Sequence, residues 1–212
     1  MITRAFAALL VAVTLAGCAA EEIWAPDDAV ARAAYAAPGP MRVTLLTAIS
    51  NRSGAGGHSA LLIDGQQRVL YDPAGSWWHP DIPERNDVLF GMSPTYFDFY
   101  MDYHARETYH VVVQTVEISP EIAAALIAGV QAQGASPRAY CAHSISSVLS
   151  NTPGFESVGV SLFPGAIMRR FEDLPGVETT QVFDDDSDDN IELLQAQARQ
   201  ARSQLDAENL AN

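Results

Sequence analysis

Gly56-Gly57-His58-Ser59-Ala60-Leu61-Leu62-Ile63-Asp64-Gly65, followed closely by Arg68-Val69-Leu70-Tyr71-Asp72-Pro73-Ala74-Gly75, is the stretch from which the fold can be read. His58 to Ile63 is short, apolar and bounded by a glycine-rich loop, as a strand is. Asp64-Gly65 is a hairpin signal. Arg68 to Tyr71 makes the return strand, and Asp72-Pro73-Ala74-Gly75 closes it as a turn. His58 and Asp72 each stand seven positions from Gly65. They are therefore expected roughly opposite one another at the open end of the hairpin, close enough for their side chains to meet.

Outward from this hairpin, strands and helices mix. Residues 41–49 (MRVTLLTAI) are apolar and β-branched, a strand, and residues 51–57 are a loop by composition. Residues 76–92 hold Trp77, Trp78 and His79 among prolines and glycines and read as a packed loop, with a substrate groove as the rival role. Ser93-Pro94 and Ser119-Pro120 each open a helix, with Ser at the cap and Pro in the first turn. The first helix runs to about residue 106, with Tyr96, Phe97, Phe99 and Tyr100 as its apolar face, and the second to about 133. Residues 109–118 and 177–183 are strands; residues 141–150 and part of 161–173 are helices. The fold class is α+β, a small antiparallel sheet with packed helices, in one domain over residues 41–183.

The residues that could do chemistry are few. The chain has two cysteines, Cys18 and Cys141. Cys141 opens a helix, where the unpaired N–H groups and the macrodipole favour a thiolate. A thiol nucleophile also needs a base and a group to orient that base. His58 and Asp72 are the candidates, with Tyr71 as rival for the third place. The bland alternatives are a small buried cysteine, a histidine bonded to the glycine loop, and an Asp-Pro turn residue capping its own backbone. His143 reads as a first-turn helix residue. The five histidines (58, 79, 104, 110 and 143) form no HExxH motif or Cys/His ladder. A zinc site from His58, Cys141 and His143 is conceivable, and no metal is expected. No phosphate-binding glycine motif is present, and no cofactor is implied.

A histidine opening a strand after a glycine loop, a hairpin, and a downstream helix opened by Tyr140-Cys141-Ala142-His143 resemble the circularly permuted NlpC/P60 proteins. These are papain-like amidases and acyltransferases that include the lecithin–retinol acyltransferase relatives. The order, His58 before Cys141, matches the permuted arrangement, and Cys-x-His matches the Asn-Cys-x-His of some members, with Tyr140 where those have Asn. The resemblance covers the element order of residues 41–183 but only two short stretches of sequence. It implies a papain-like fold in permuted order and a Cys141–His58 hydrolase or acyltransferase. The substrate it implies is an amide or ester, as a peptide, a peptidoglycan peptide or a lipid-derived acyl chain. The family's third polar residue falls on the strand after the histidine strand; here that strand offers Tyr71 and Asp72 only at its end.

The ends set the location. Arg4, an apolar run over residues 5–16 and Leu15-Ala16-Gly17-Cys18 make a secretory signal too short to span a bilayer. Leu-Ala-Gly-Cys resembles the lipobox of bacterial lipoproteins, so residues 1–17 are expected to be removed and Cys18 lipidated. Residues 18–40, rich in Ala and Pro, read as a tether with a short helix near 27–35. Ala19 after the cysteine, not Asp, favours the outer membrane, facing the periplasm. The net charge of −14 excludes nucleic-acid binding. Residues 184–189 hold five aspartates and read as a solvated linker, ahead of a polar helix over 191–209. The competing function is a non-catalytic envelope lipoprotein of the same fold that binds a partner or ligand.

Overall fold

The computed structural model describes residue 20 and residues 22–211. The signal segment and Cys18 lie outside the described residues. The elements in chain order are α1 (Asp27–Ala33), β1 (Arg42–Ser50), β2 (Gly56–Asp64), β3 (Arg68–Tyr71), β4 (Glu84–Arg85), β5 (Val88–Phe90), α2 (Pro94–His104), β6 (Tyr109–Glu117), α3 (Pro120–Gln133), α4 (Cys141–Ser150), α5 (Pro164–Glu172), β7 (Glu178–Val182) and α6 (Asn190–Ala211). A single 3-10 turn spans Glu156–Val158.

The seven strands form one sheet in the order β4-β5-β3-β2-β1-β6-β7, and every pair is antiparallel. β1 sits between β2 and β6 and is buried along nearly its whole length. Such a strand must be apolar on both faces, which is why residues 42–50 lack polar alternation. One face packs Val43, Leu45, Leu61, Ile63, Val69 and Tyr71 against α3, α4 and α5. The other packs Leu46, Ala60, Leu62 and Leu70 against Trp77, Ile82 and α2. The change of face at each successive residue is the strand period of two. Phe171 of α5 is fully buried, with its ring centroid 6.0 Å from that of Phe155. Phe171→Ala should lower the unfolding free energy by about 3–5 kcal/mol, read from urea denaturation; a loss below half of that would mean the site collapses around the void.

Residues 76–92, expected as loop, contain β4 and β5. Asn86 and Asp87 both take positive φ, 47° and 67°. That is the hairpin turn geometry Asn and Asp tolerate, and it pairs Arg85 with Val88. Residues 22–40 lie against this edge of the sheet. Ala25 N donates to Glu84 O and Asn86 N to Ile23 O. The Arg85 guanidinium sits 4.7 Å over the Trp24 ring. The close of α1 meets Gly91, where a Cβ would stand 2.3 Å from Ala33 O.

The C-terminal segment also packs specifically. Gln197 of α6 is 3% exposed. Its Oε1 accepts from Trp77 Nε1 at 3.3 Å, and its Nε2 donates to Phe99 O at 3.0 Å and Asp102 at 3.3 Å. One buried amide therefore fastens an otherwise polar helix to α2. No helix among the described residues is long and apolar enough to cross a membrane.

Candidate active site

Two glycines let β2 begin where it does. A Cβ on Gly56 would stand 2.7 Å from Gly165 N at the start of α5, and one on Gly57 2.8 Å from the Tyr109 ring. His58 follows on the face covered by α2. Its Nε2 lies 2.5 Å from Asp72 Oδ1, and its ring stacks on His104 with centroids 5.6 Å apart. Asp72 is held from several sides. Its backbone N–H donates to Asp87 O at 2.8 Å, and Tyr100 OH donates to the same Oδ1 at 2.9 Å. The other carboxylate oxygen rests on Gly75, where a Cβ would come within 1.9 Å of it. Ala74, between them, takes φ 58°, a left-handed conformation that non-glycine residues adopt at a cost.

Cys141 is the first residue of α4 and is 5% exposed. The chain enters α4 through Ala139 at φ 65°. Ser136 anchors that entry. Its N–H donates to Asp87 Oδ2 at 2.7 Å, and its hydroxyl bonds Ser144 at 2.9 Å and Tyr71 at 3.3 Å. Tyr71, the rival third residue, is thus committed to Ser136 and not to His58. The Cys141 thiol lies close enough to His58, and to the N–H groups of Ser59 and Ala142, for each to lower its ionisation. With Nε2 engaged by Asp72, Nδ1 is the ring nitrogen left for the thiol. The structure therefore brings Cys141, His58 and Asp72 together, with His58 and Asp72 hydrogen-bonded and the thiol beside the imidazole. His143 points elsewhere, against Tyr140 with centroids 5.5 Å apart. The conceivable zinc trio of His58, Cys141 and His143 is not assembled.

The electrostatics follow from burial and pairing. Burial alone would push the His58 imidazole down, but the Asp72 charge and hydrogen bond, helped by Cys141, lift it to about 10. Burial raises the Cys141 thiol, yet the His58 hydrogen bond and charge and the two N–H groups bring it below the ordinary thiol value. Burial raises Asp72 too, and His58, then His104 and Tyr100, hold it below the usual carboxylate range. His104 is pushed down to about 4 by burial, with the charge on His58 adding to it. A neutral ring thus shields the charged one. The arrangement favours a thiolate facing an imidazolium, the form in which a cysteine is nucleophilic.

Tyr100 and His104 are the functional neighbours that sequence reasoning missed. They stand four apart on α2, one turn above the other, and only the docking of α2 on the sheet points them at Asp72. His58, Asp72 and His104 also offer ligand atoms within 4.8 Å of one another and could hold a metal ion, as could Asp102, Asp184 and Asp186. An ion at the first cluster would have to displace the two hydrogen bonds that meet at Asp72 Oδ1.

Two cavities meet at Ala74, Gly75 and Ser76. One, of about 480 Å³, borders His58, His104, Arg106, Asp188 and Asn190. The other, of about 800 Å³, borders Trp78, Asp87, Ser136 and Arg138 on the approach to α4. Trp77 and His79 are buried in an aromatic pack with Tyr100, Tyr96 and Phe99; Trp78 is exposed, and it lines the second cavity together with the edge of Trp77.

Gly75→Ala is expected to push the Asp72 carboxylate off its bonds with His58 and Tyr100, which lowers the melting temperature because buried donors lose their acceptor. In the folded protein the reactivity of Cys141 toward iodoacetamide at neutral pH should fall about tenfold. Unchanged reactivity would mean that the Asp72–His58 bond does not hold the thiolate.

No protein-family profile matches this chain, and no curated protein or solved structure is significantly similar to it.

Proposed function

We propose that this protein is a thiol-dependent hydrolase or acyltransferase acting on an amide or ester bond, with Cys141 as nucleophile, His58 as base and Asp72 as its orienter. The observation that carries the reading is His58 bonded through Nε2 to Asp72 Oδ1 at 2.5 Å, with the Cys141 thiol at the head of α4 close enough for His58 to lower its ionisation. The thiolate attacks the carbonyl carbon, and the carbonyl oxygen takes up the negative charge near the N–H groups of the first helical turn. As the tetrahedral centre collapses, the His58 imidazolium gives its proton to the departing amine or alcohol, leaving an acyl group on Cys141. Water, or an acceptor with a hydroxyl or amine, then enters and gives its proton to His58. Its attack releases the acyl group and restores the thiolate–imidazolium pair.

The permuted papain-like arrangement is part of the same proposal. It is supported by His58 preceding Cys141 in the chain, by the histidine at the start of a strand and by the cysteine at the start of a helix. So is the location: the lipobox-like Leu15-Ala16-Gly17-Cys18 supports a lipid anchor in a bacterial envelope. A membrane-tethered enzyme there meets peptide, peptidoglycan or lipid-derived acyl substrates.

The test is to incubate the chain with p-nitrophenyl acetate and with acyl amides and thioesters, then locate adducts by peptide mass spectrometry. An acetyl or acyl group on Cys141, absent in His58→Ala, is the expected result. A Cys141 that acquires no acyl group from any donor would overturn the reading and leave a non-catalytic envelope protein.

A further inference from the structure

The segment expected as a tether is bound to the domain from Ile23 onward. Ile23 O accepts from Asn86 N–H at 3.0 Å, and Ala25 N–H donates to Glu84 O at 2.9 Å. Trp24 between them pairs with Arg85 in an antiparallel bridge, a further rung on the β4 edge of the sheet. Ala20 and Ile23 line the cavity of about 800 Å³, together with Trp78, Ser136 and Arg138. Cys18 stands two residues before Ala20, and two residues of extended chain span at most about 7 Å. A lipid on Cys18 would therefore pin the mouth of this cavity to the bilayer surface.

The side chains at that mouth suit the position. Ile23 is 39% exposed and Trp78 52%, and tryptophan is the residue enriched at the depth of lipid headgroups, with an apolar body and a polar N–H. Charge fits as well, although the chain as a whole is acidic. Both carboxylates bordering the cavity are turned to the backbone. Glu84 Oε1 accepts from Asp87 N–H at 3.3 Å, and Asp87 Oδ2 from Ser136 N–H at 2.7 Å. Arg138 is exposed and forms no ion pair among the described residues, so its guanidinium can meet a lipid phosphate. We propose that the rim bearing Ile23, Trp78 and Arg138 is a membrane-docking face, seated at headgroup depth in the bilayer that holds the lipid of Cys18. The proposal rests on the lipid-anchor part of the reading above. It also orients the site. Gly75, which carries the Asp72 carboxylate, and Ser136, which anchors the entry to α4, border the cavity that faces the lipid.

The test reads tryptophan emission from the full chain, purified from membranes and placed in vesicles of phosphatidylcholine with or without bromine near the top of the acyl chains. Bromine quenches only on close approach. The chain has three tryptophans. Trp24→Phe leaves Trp78 beside the buried Trp77, and Trp24→Phe with Trp78→Phe leaves Trp77 alone. Both replaced residues are exposed, so both chains should fold. Emission from Trp24→Phe should fall by about a third to a half in the brominated vesicles, as for one of two rings at headgroup depth. That of the double variant should fall much less. Equal emission from Trp24→Phe in the two kinds of vesicle overturns the proposal and leaves the rim to a protein partner or a second copy. An equal fractional loss in the double variant overturns it too. Mass spectrometry of the N-terminal peptide separates the readings. Lipid on Cys18 without quenching sinks the docking face alone. A Cys18 without lipid sinks the anchor and the docking face together. Lipid and quenching with no acyl group on Cys141 sink the catalytic reading alone.

Discussion

His58→Ala is expected to slow acylation of Cys141 by roughly 10²–10⁴-fold, the usual contribution of a positioned base. It should also move the ionisation of the thiol up past its ordinary range. The direction follows from what surrounds the sulfur. Burial by itself raises the thiol, and His58 is the largest influence acting against it; the N–H groups of Ser59 and Ala142 are smaller. Take the imidazole away and burial is opposed only by two dipoles. The measurement is the rate of alkylation by iodoacetamide against pH in a Cys18→Ser background, where Cys141 is the single remaining thiol. The parent should react with an acid limb below the ordinary thiol value of about 8.5. Its acylation rate should hold on the alkaline side until His58 releases its proton at about 10. In His58→Ala the acid limb should move up and the plateau vanish. Superimposable profiles would mean that thiol and imidazole do not share a proton, and the proposed chemistry would fall.

How much of this was legible in the sequence depends on how locally each feature is determined. The hairpin was legible because Asp64-Gly65 and the strand periodicity act over a few residues. Its register was nearly so. Leu61 pairs with Tyr71 and Asp64 with Arg68, so Asp72 lies diagonal to His58, a distance that a histidine and an aspartate side chain can close. The start of α4 at Cys141 was legible for the same local reason. β4 and β5 were not: two and three residues are too short to show a period. The signal available was Asn86-Asp87 ahead of Val88-Leu89-Phe90, a turn pair before an apolar run.

Tyr100 and His104 show the harder limit. The apolar face of α2 is visible in its sequence, but which residue of that face meets a carboxylate depends on where the helix docks, and residues 28 positions apart set that. The acidic run is exposed at residues 185–189, as its charge density suggests; what charge density does not show is that Asp186 reaches back to the buried Arg106 at 3.5 Å. Gln197 gave no local sign, because a glutamine on a polar helix looks the same whether it faces water or three hydrogen-bond partners.

Asp72 offers the sharper test, because its charge and its geometry can be removed separately. Oδ1 accepts from both Tyr100 OH and His58 Nε2. In Asp72→Asn those two donors select the rotamer that keeps the amide oxygen in place and turns the NH₂ toward Gly75. The imidazole then keeps its orientation and its tautomer, with Nδ1 still free to take the thiol proton, and only the charge is lost. Burial, which pushes His58 down, is no longer countered by a carboxylate. The imidazolium, raised then only by Cys141, should therefore give up its proton well below about 10. Acylation of Cys141 should fall about 10²- to 10³-fold at neutral pH, as the thiolate–imidazolium pair reverts to neutral thiol and imidazole. The alkaline limb of its pH profile should move down by several pH units. Asp72→Ala removes the acceptor as well, so the ring can turn, and it should be slower still with no defined alkaline limb. Asp72→Asn combined with Tyr100→Phe removes the donor that fixes the amide. That chain should behave like Asp72→Ala, because a flipped amide presents NH₂ to Nε2 and forces the proton onto Nδ1, where the thiol needs an acceptor. If Asp72→Asn leaves the alkaline limb near 10, the charge of Asp72 is not what holds His58 protonated, and the carboxylate is a turn residue that happens to lie beside the ring.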